Sequence, residues 1–444
     1  MFFMQTANAS SDGKLLHELT KAVDACRVNY VKYLRPINEA SARDDFLKDA
    51  RLKCPRYKYD KLNEKALGRK RAHIVELINE IKMRKDLSDD LRNTFLKDLG
   101  QSWYYTELIS AAHDYNMGVE KANAQKRFKR ASDAALGRMH EDTFWSLLRE
   151  RIASIDAKKL NADDYVIYHE MLALIGVMGR NRKRHYAPNR SLIKKFRQRI
   201  HDLLDGIARY IPEDRDSFTP QDGADIIIEI IKKELKIPYV AEVDENVLTA
   251  SVRSSEQKII MPGGRKGLYS RIELEKLIVH ELGVHTIRAT SAEVDNLPVS
   301  AFSKNGAYSR LTEEGLAKVC EQAIDGKYDD ICTVRYLAIG FAQVCKKNFR
   351  QSYEILWRME HLTSGRNKED CFSIIQRAFR GTGVLPINTD LIYRRGYVLV
   401  WRYIEDHIND PSLIKTLFLS GKNDFLEQKR NTLLRMMRED GLID

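Results

Sequence analysis

The chain has 444 residues, 43% of them hydrophobic and 31% charged, with a formal net charge of +11. That length excludes a single small core and predicts two domains or one large elaborated one. Sparse glycine and proline (23 and 10) argue against sandwiches and disorder and for helices, and the positive balance favours acidic partners.

The start, MFFMQTANASSDGK, has no basic n-region and no apolar run of signal-peptide length. No window reaches the roughly 18 apolar residues that a membrane helix needs, so no membrane span is expected. Cys26, Cys54, Cys320, Cys332, Cys345 and Cys371 form no C-x-x-C and no disulfide framework. Reduced thiols in a cytoplasmic protein are the expectation.

From about residue 13 to 135 the apolar residues recur at three- and four-residue spacing, which predicts helices, with Ser88 or Asp89 capping one of them. Helical segments continue to about Gly179. Between Arg180 and Arg199 stand nine Lys or Arg residues and no acid. The segment reads as a solvated loop and helix face, or as a docking surface for an acidic polymer. With only Tyr186 and Phe196 interleaved, nucleic acid is not the expected partner. Residues 206–223 carry prolines and acids and read as a linker or exposed loop.

The texture then changes. ADIIIEIIKKELKIP predicts a helix ended by Pro238. YVAEVD, LTASVRSS and QKIIMP predict three short strands. Ser270-Arg271-Ile272-Glu273 fits a capping box, so a helix should start near Arg271 and carry His280 in its third turn.

That helix contains VHELGVHTIRAT. His280 and His285 are five apart, whereas the ordinary zinc-protease motif spaces them by four. Four residues return a side chain to within about 40° of its starting direction and five overshoot to about 140°. A π-bulge absorbs one residue and brings the two imidazoles together, and Gly283 lies between them where the backbone must deform. Glu281 is then placed to take a proton from a metal-bound water. The His-Glu pairs at His17, His140 and His169 have no second histidine downstream at either spacing. A third ligand is expected in SRLTEEGLAKVCEQAI, from Glu314, with Thr312 as the helix cap and Glu313 beside the ligands. Gly315 and Ala317 would let that helix lie close to the histidine helix. The competing reading is two unrelated helix histidines, one buried and one exposed.

LIVHELGVHTIRA, LTEEGLA and RAFRGTGVLPINTDLIYRRGYVLVWRYI together resemble the microtubule-associated tyrosine carboxypeptidase family and its bacterial relatives with a Q/E-E-G-L-A motif. The resemblance spans about residues 130–410 and touches CPRYKYDKL at Cys54–Leu62. It departs at Asn388-Thr389-Asp390, where the family often reads Thr-Lys-Asp. The resemblance implies an α+β, mainly α fold: a zincin-like metallopeptidase with a small antiparallel sheet beside the metal helix. It divides the chain into an N-terminal helical region, 1–135, and a catalytic domain, 136–444. It also implies one zinc per chain, held by His280, His285 and Glu314, with Glu281 activating water. The implied activity is removal of a C-terminal residue, tyrosine in the best-known members, from a protein or peptide tail such as the acidic tail of tubulin. The alternatives are a zinc endopeptidase or aminopeptidase and a catalytically silent scaffold for an acidic polymer.

A carboxypeptidase must also stabilise an oxyanion and hold a free carboxylate. Tyr393 is the candidate oxyanion donor, or else a packed helix tyrosine. Arg380, in the turn FRGTG, and Arg288, near His285, are the candidate carboxylate holders, or else structural ion pairs.

Overall fold

The computed structural model describes residues 11–176, 185–245, 247, 249–264, 267–294, 309–327, 330–419 and 430–444. Among these residues it is mainly helical, with five short strands. Among the described residues no helix is long and apolar enough to cross a membrane.

The chain forms two compact units, each discontinuous in sequence. One comprises Met1–Asp24, Ala187–Asp329 and Arg395–Lys429; the other comprises Ala25–Tyr186, Asp330–Arg394 and Arg430–Asp444. Neither coincides with a division near residue 135.

The second unit is helical. Its long helix Asp89–Met117 begins at Ser88, whose side chain caps Leu91, and ends at Gly118 in the left-handed region (φ 79°). The helices Glu64–Met83, Lys121–Leu136 and Arg430–Glu439 pack around it. A second core centres on Phe46, Phe144, Phe349, Phe372 and Leu391, all fully buried or nearly so.

The five strands among the described residues lie in the first unit. β1 (Ser217–Phe218) pairs with β5 (Tyr269–Ser270), antiparallel. β2 (Val240–Asp244), β3 (Ser251–Arg253) and β4 (Lys258–Pro262) form a second sheet in the order β2-β4-β3. The three strands fall where the β-branched runs predicted them, but this sheet is mixed: β2 and β4 are parallel, β3 and β4 antiparallel. The reason is burial. Ile259, Ile260 and Met261 are fully buried, which puts β4 in the centre. The short β3 hairpins onto one edge, leaving the other to β2.

Residues 206–223 are more ordered than a linker. A helix runs to Ala208, and Thr219 opens the next, Pro220–Ile230, through a capping box with Asp222. The stretch between them, which ends in β1, is fastened by Arg271, which donates to the carbonyls of Ile211 (2.6 Å) and Pro212 (2.5 Å). The basic segment is described only from His185. Its helix Arg190–Arg199 starts at Asn189, buries Leu192 and Phe196, and packs Phe196 edge-on against Trp401.

Candidate metal centre

Ser270 and Glu273 cap each other reciprocally, and the helix starts at Arg271. It is α-helical to Ile278, π-helical over Val279–Thr286, and α-helical again from Ile287. The extra residue is thus absorbed, over eight residues rather than one bulged turn. The Ile287 amide donates to the Leu282 carbonyl and the Thr286 hydroxyl to the Glu281 carbonyl (2.9 Å), each reaching five residues back. The imidazoles come to 4.9 Å between ring centroids. β3 packs against the π-stretch.

Gly283 sits in this stretch with no positive φ, and a Cβ there would meet Ile207 at an ordinary 3.5 Å. Space therefore does not demand this glycine.

The third group comes from the helix Ser309–Asp325, tied to the histidine helix by a Lys276–Asp325 ion pair. This helix is already formed at Ser309, so Thr312 lies inside it, fully buried, and does not cap it. Gly315 does not face the histidine helix. A Cβ there would fall 2.3 Å from the carbonyl carbon of Gly396, and one at Gly396 would fall 2.1 Å from the Leu311 oxygen. The pair lets the helix Ser309–Asp325 cross the helix Leu391–His407 at backbone contact.

His280, His285 and Glu314 each offer a ligand atom, all within 4.8 Å of one another. His280 Nε2 and Glu314 Oε2 are 3.8 Å apart, near the roughly 3.3 Å that separates two ligands on a tetrahedral zinc. The other ring nitrogens are engaged: His280 Nδ1 lies 2.6 Å from Glu321, and His285 Nδ1 lies 3.1 Å from Glu313. A carboxylate on Nδ1 places the proton there and turns the Nε2 lone pair toward the common centre. This donor set fits a divalent metal of the zinc type.

The same carboxylates set the charges around the ligand atoms. Burial works against a charged His280, but Glu321 overrides it and holds its pKa above the ordinary value. Burial would raise the Glu314 carboxyl, yet His285, Arg310 and His280 keep it below its usual range. Burial opposes charge on Glu321 as well, and Lys318 and His280 bring it to about 2. Glu281 is 7% exposed, and its carboxylate makes no hydrogen bond among the described residues. That leaves the side chain open to a water.

Sequence reasoning missed Glu321. Its signal was available: seven and eight residues after Glu314 and Glu313, it returns to the same face two turns on. Arg288 is fully buried and donates to Glu313 (3.4 Å) and to the Leu417 carbonyl, so its guanidinium braces the carboxylate that holds His285. Arg380 and Tyr393 belong to the other unit. There the guanidinium of Arg335 lies 5.0 Å from the Tyr393 ring centroid.

No curated protein matches the chain. A solved structure described as "putative lipoprotein from Colwellia psychrerythraea" is similar at 12% identity and a TM-score of 0.43, over 97% of this chain and 100% of that one, which is too distant to carry an argument. The model of the microtubule-associated tyrosine carboxypeptidases matches residues 209–444, more than half of the chain and the part that contains both the histidine helix and the Glu314 helix. The chain belongs to the microtubule-associated tyrosine carboxypeptidase family.

Proposed function

We propose that this protein is a zinc carboxypeptidase that removes one C-terminal residue, tyrosine or another aromatic, from acidic protein or peptide tails. The observation that carries the reading is the π-stretch, which gathers two imidazoles whose Nδ1 atoms are each held by a carboxylate. Family membership supplies the peptidase class. The net charge of +11 suits an acidic tail, and a tubulin-like tail is the family's own indication. The absence of disulfide spacing suits a cytoplasmic setting.

His280, His285 and Glu314 would hold the zinc. When bound, zinc supplies a Lewis acid that polarises the scissile carbonyl and acidifies water. The steps on the protein side fall to its own residues. Glu281 accepts a proton from the attacking water and delivers it to the leaving amine. Glu321 and Glu313 keep the two imidazoles in one tautomer and one orientation, and Arg288 steadies Glu313. For Tyr393 as oxyanion donor and Arg380 as holder of the terminal carboxylate, the support is the sequence motif alone.

The test is a pair of measurements on one variant. Glu281→Gln should retain about one zinc per chain and lose hydrolysis by a factor of about 10² or more. Undiminished turnover removes Glu281 as the base, and a folded wild-type chain that stays metal-free in added zinc removes the site. A silent scaffold needs no base, so loss of turnover in this variant also disposes of that reading.

A further inference from the structure

The helix Arg190–Arg199 carries cations where helices elsewhere carry acids. The first turns of the helices Asp89–Met117, Glu141–Ala153, Ala162–Ile175 and Lys368–Ala378 each hold two acidic residues, which suit the positive end of a helix. Arg190–Arg199 opens on Arg190 and holds no acid anywhere along its length. Arg190, Lys194 and Arg197 recur at four- and three-residue spacing, which stacks like charges on one face. All three are exposed, as is Lys195 beside them. Such neighbours repel, so the local sequence works against the helix it forms.

Neighbouring acids answer such charges elsewhere. The helix Lys121–Leu136 has as many Lys and Arg residues, five, but Arg127 meets Glu107 and Asp114, Lys129 meets Asp133, and Arg130 meets Glu439 and Asp440, all at 2.7 to 3.2 Å. Among the described residues the side chains of Arg190, Lys194 and Lys195 make no ion pair and no hydrogen bond. Arg197 acts on Glu275 of the histidine helix from a distance, without an ion pair among them. Asp205, on the next helix, is taken by His201 at 3.1 Å.

The opposite side of this helix fixes the basic ladder in place. Leu192 and Phe196, with Ile200 just beyond, are buried, and the helix packs against Ser309–Asp325, which carries Glu314. Phe196 meets the Trp401 ring, and the Trp401 indole donates to Gln322 (3.0 Å) on the Glu314 helix. The ladder therefore stands on the framework of the metal centre. Its length suits an extended tail. Seven residues of helix set Arg190 and Arg197 about 10 Å apart along the axis. An extended chain rises about 3.3 Å per residue, so roughly four residues with acids at alternate positions span the ladder. No aromatic side chain stands on the exposed face to stack on bases, and the apolar face is spent in the core rather than left for a bilayer.

We propose that Arg190, Lys194 and Arg197 form a docking surface for an acidic stretch of the polypeptide substrate, on the N-terminal side of the residue removed. This rests on the acidic-tail reading above and assigns that tail a surface apart from the metal ligands. The contacts are exposed, so the ladder contributes affinity and encounter rate rather than chemistry, and it weakens with salt.

The test is fluorescence anisotropy of two labelled peptides on the full-length protein. One carries a run of glutamates before a C-terminal tyrosine, and the other carries glutamines in their place. The last peptide bond of each is N-methylated to resist hydrolysis. The wild type should bind the glutamate peptide more tightly, and about 0.5 M salt should remove the difference. Arg190→Gln, Lys194→Gln and Arg197→Gln combined should weaken the glutamate peptide about tenfold, the sum of three exposed ion pairs, and leave the glutamine peptide unchanged. Wild-type affinity of the triple variant for the glutamate peptide overturns the proposal. An equal loss for both peptides, or a wild type that does not distinguish them, overturns it as well. Should the triple variant melt early, Lys194→Glu decides alone: a several-fold loss confined to the glutamate peptide supports the surface, and none overturns it. A DNA duplex and phosphatidylserine vesicles are titrated in parallel. A triple variant that loses either of these while holding the glutamate peptide assigns the ladder to that polyanion and overturns the proposal. Hydrolysis of the unmodified glutamate peptide is scored separately. A wild-type chain that binds without hydrolysing ends the peptidase reading and leaves this surface standing.

Discussion

Glu321 sits 2.6 Å from Nδ1 of His280, forty-one residues away in sequence, and Lys318 holds the same carboxylate at 2.9 Å. The acid is thereby kept ionised beside the imidazole it orients. Glu321→Gln keeps an acceptor and loses the charge; Glu321→Ala loses both. Zinc affinity, measured by competition with a chelating indicator, should fall about 10-fold in the first and about 100-fold in the second. Wild-type affinity in both variants would reduce Glu321 to a packing residue.

The Gly315–Gly396 crossing makes the opposite demand from Gly283. Gly315→Ala forces a methyl to 2.3 Å from backbone, where nothing can rotate away. Separation of the two helices should cost about 2 kcal/mol or more and displace Glu314. Gly283→Ala meets only side-chain atoms at 3.5 Å and beyond. It should melt at or slightly above the wild-type temperature, since alanine is the better helix former by about 1 kcal/mol. Thermal melts of the two variants check both statements, and the reverse order would contradict them.

Asp390 makes stability depend on acid. The guanidiniums around it overcome the effect of burial and hold its carboxyl well below the usual range. Its contribution is fully present above the unfolded value, near pH 4, and is lost as pH falls toward the lower folded value. Asp390→Asn should cost about 3 kcal/mol near neutral pH by removing the charge of the buried carboxylate that Arg377 grips at 2.6 and 2.7 Å. Its stability should also decline less than that of the wild type below pH 4. Urea melts from pH 7 to pH 3 compare the two slopes, and parallel curves would contradict the assignment.

How much of this was legible depended on how far the information travels along the chain. The histidine spacing, the strand positions and the Ser270 cap are local patterns, and each has its counterpart in the structure. Strand direction was not local: β2 lies parallel to β4 because of a burial pattern shared by three segments. Thr312 looked like a cap because a hydroxyl before two acids imitates one, while the helix had already begun by Ser309. The partner of Gly315 was illegible, because Gly396 lies on a helix far along the chain. Arg335 was invisible for a similar reason: nothing around it in sequence marks it, and only folding sets it beside Asp390.

The central claim is hydrolysis of one residue from a free C-terminus. Mass spectrometry of acidic peptides incubated with the zinc-loaded protein tests it most directly. The account predicts loss of a single C-terminal residue, greatest for an aromatic one, and no reaction once the terminus is amidated. Internal cuts, removal from the N-terminus, or no cleavage of any free-acid peptide would contradict it.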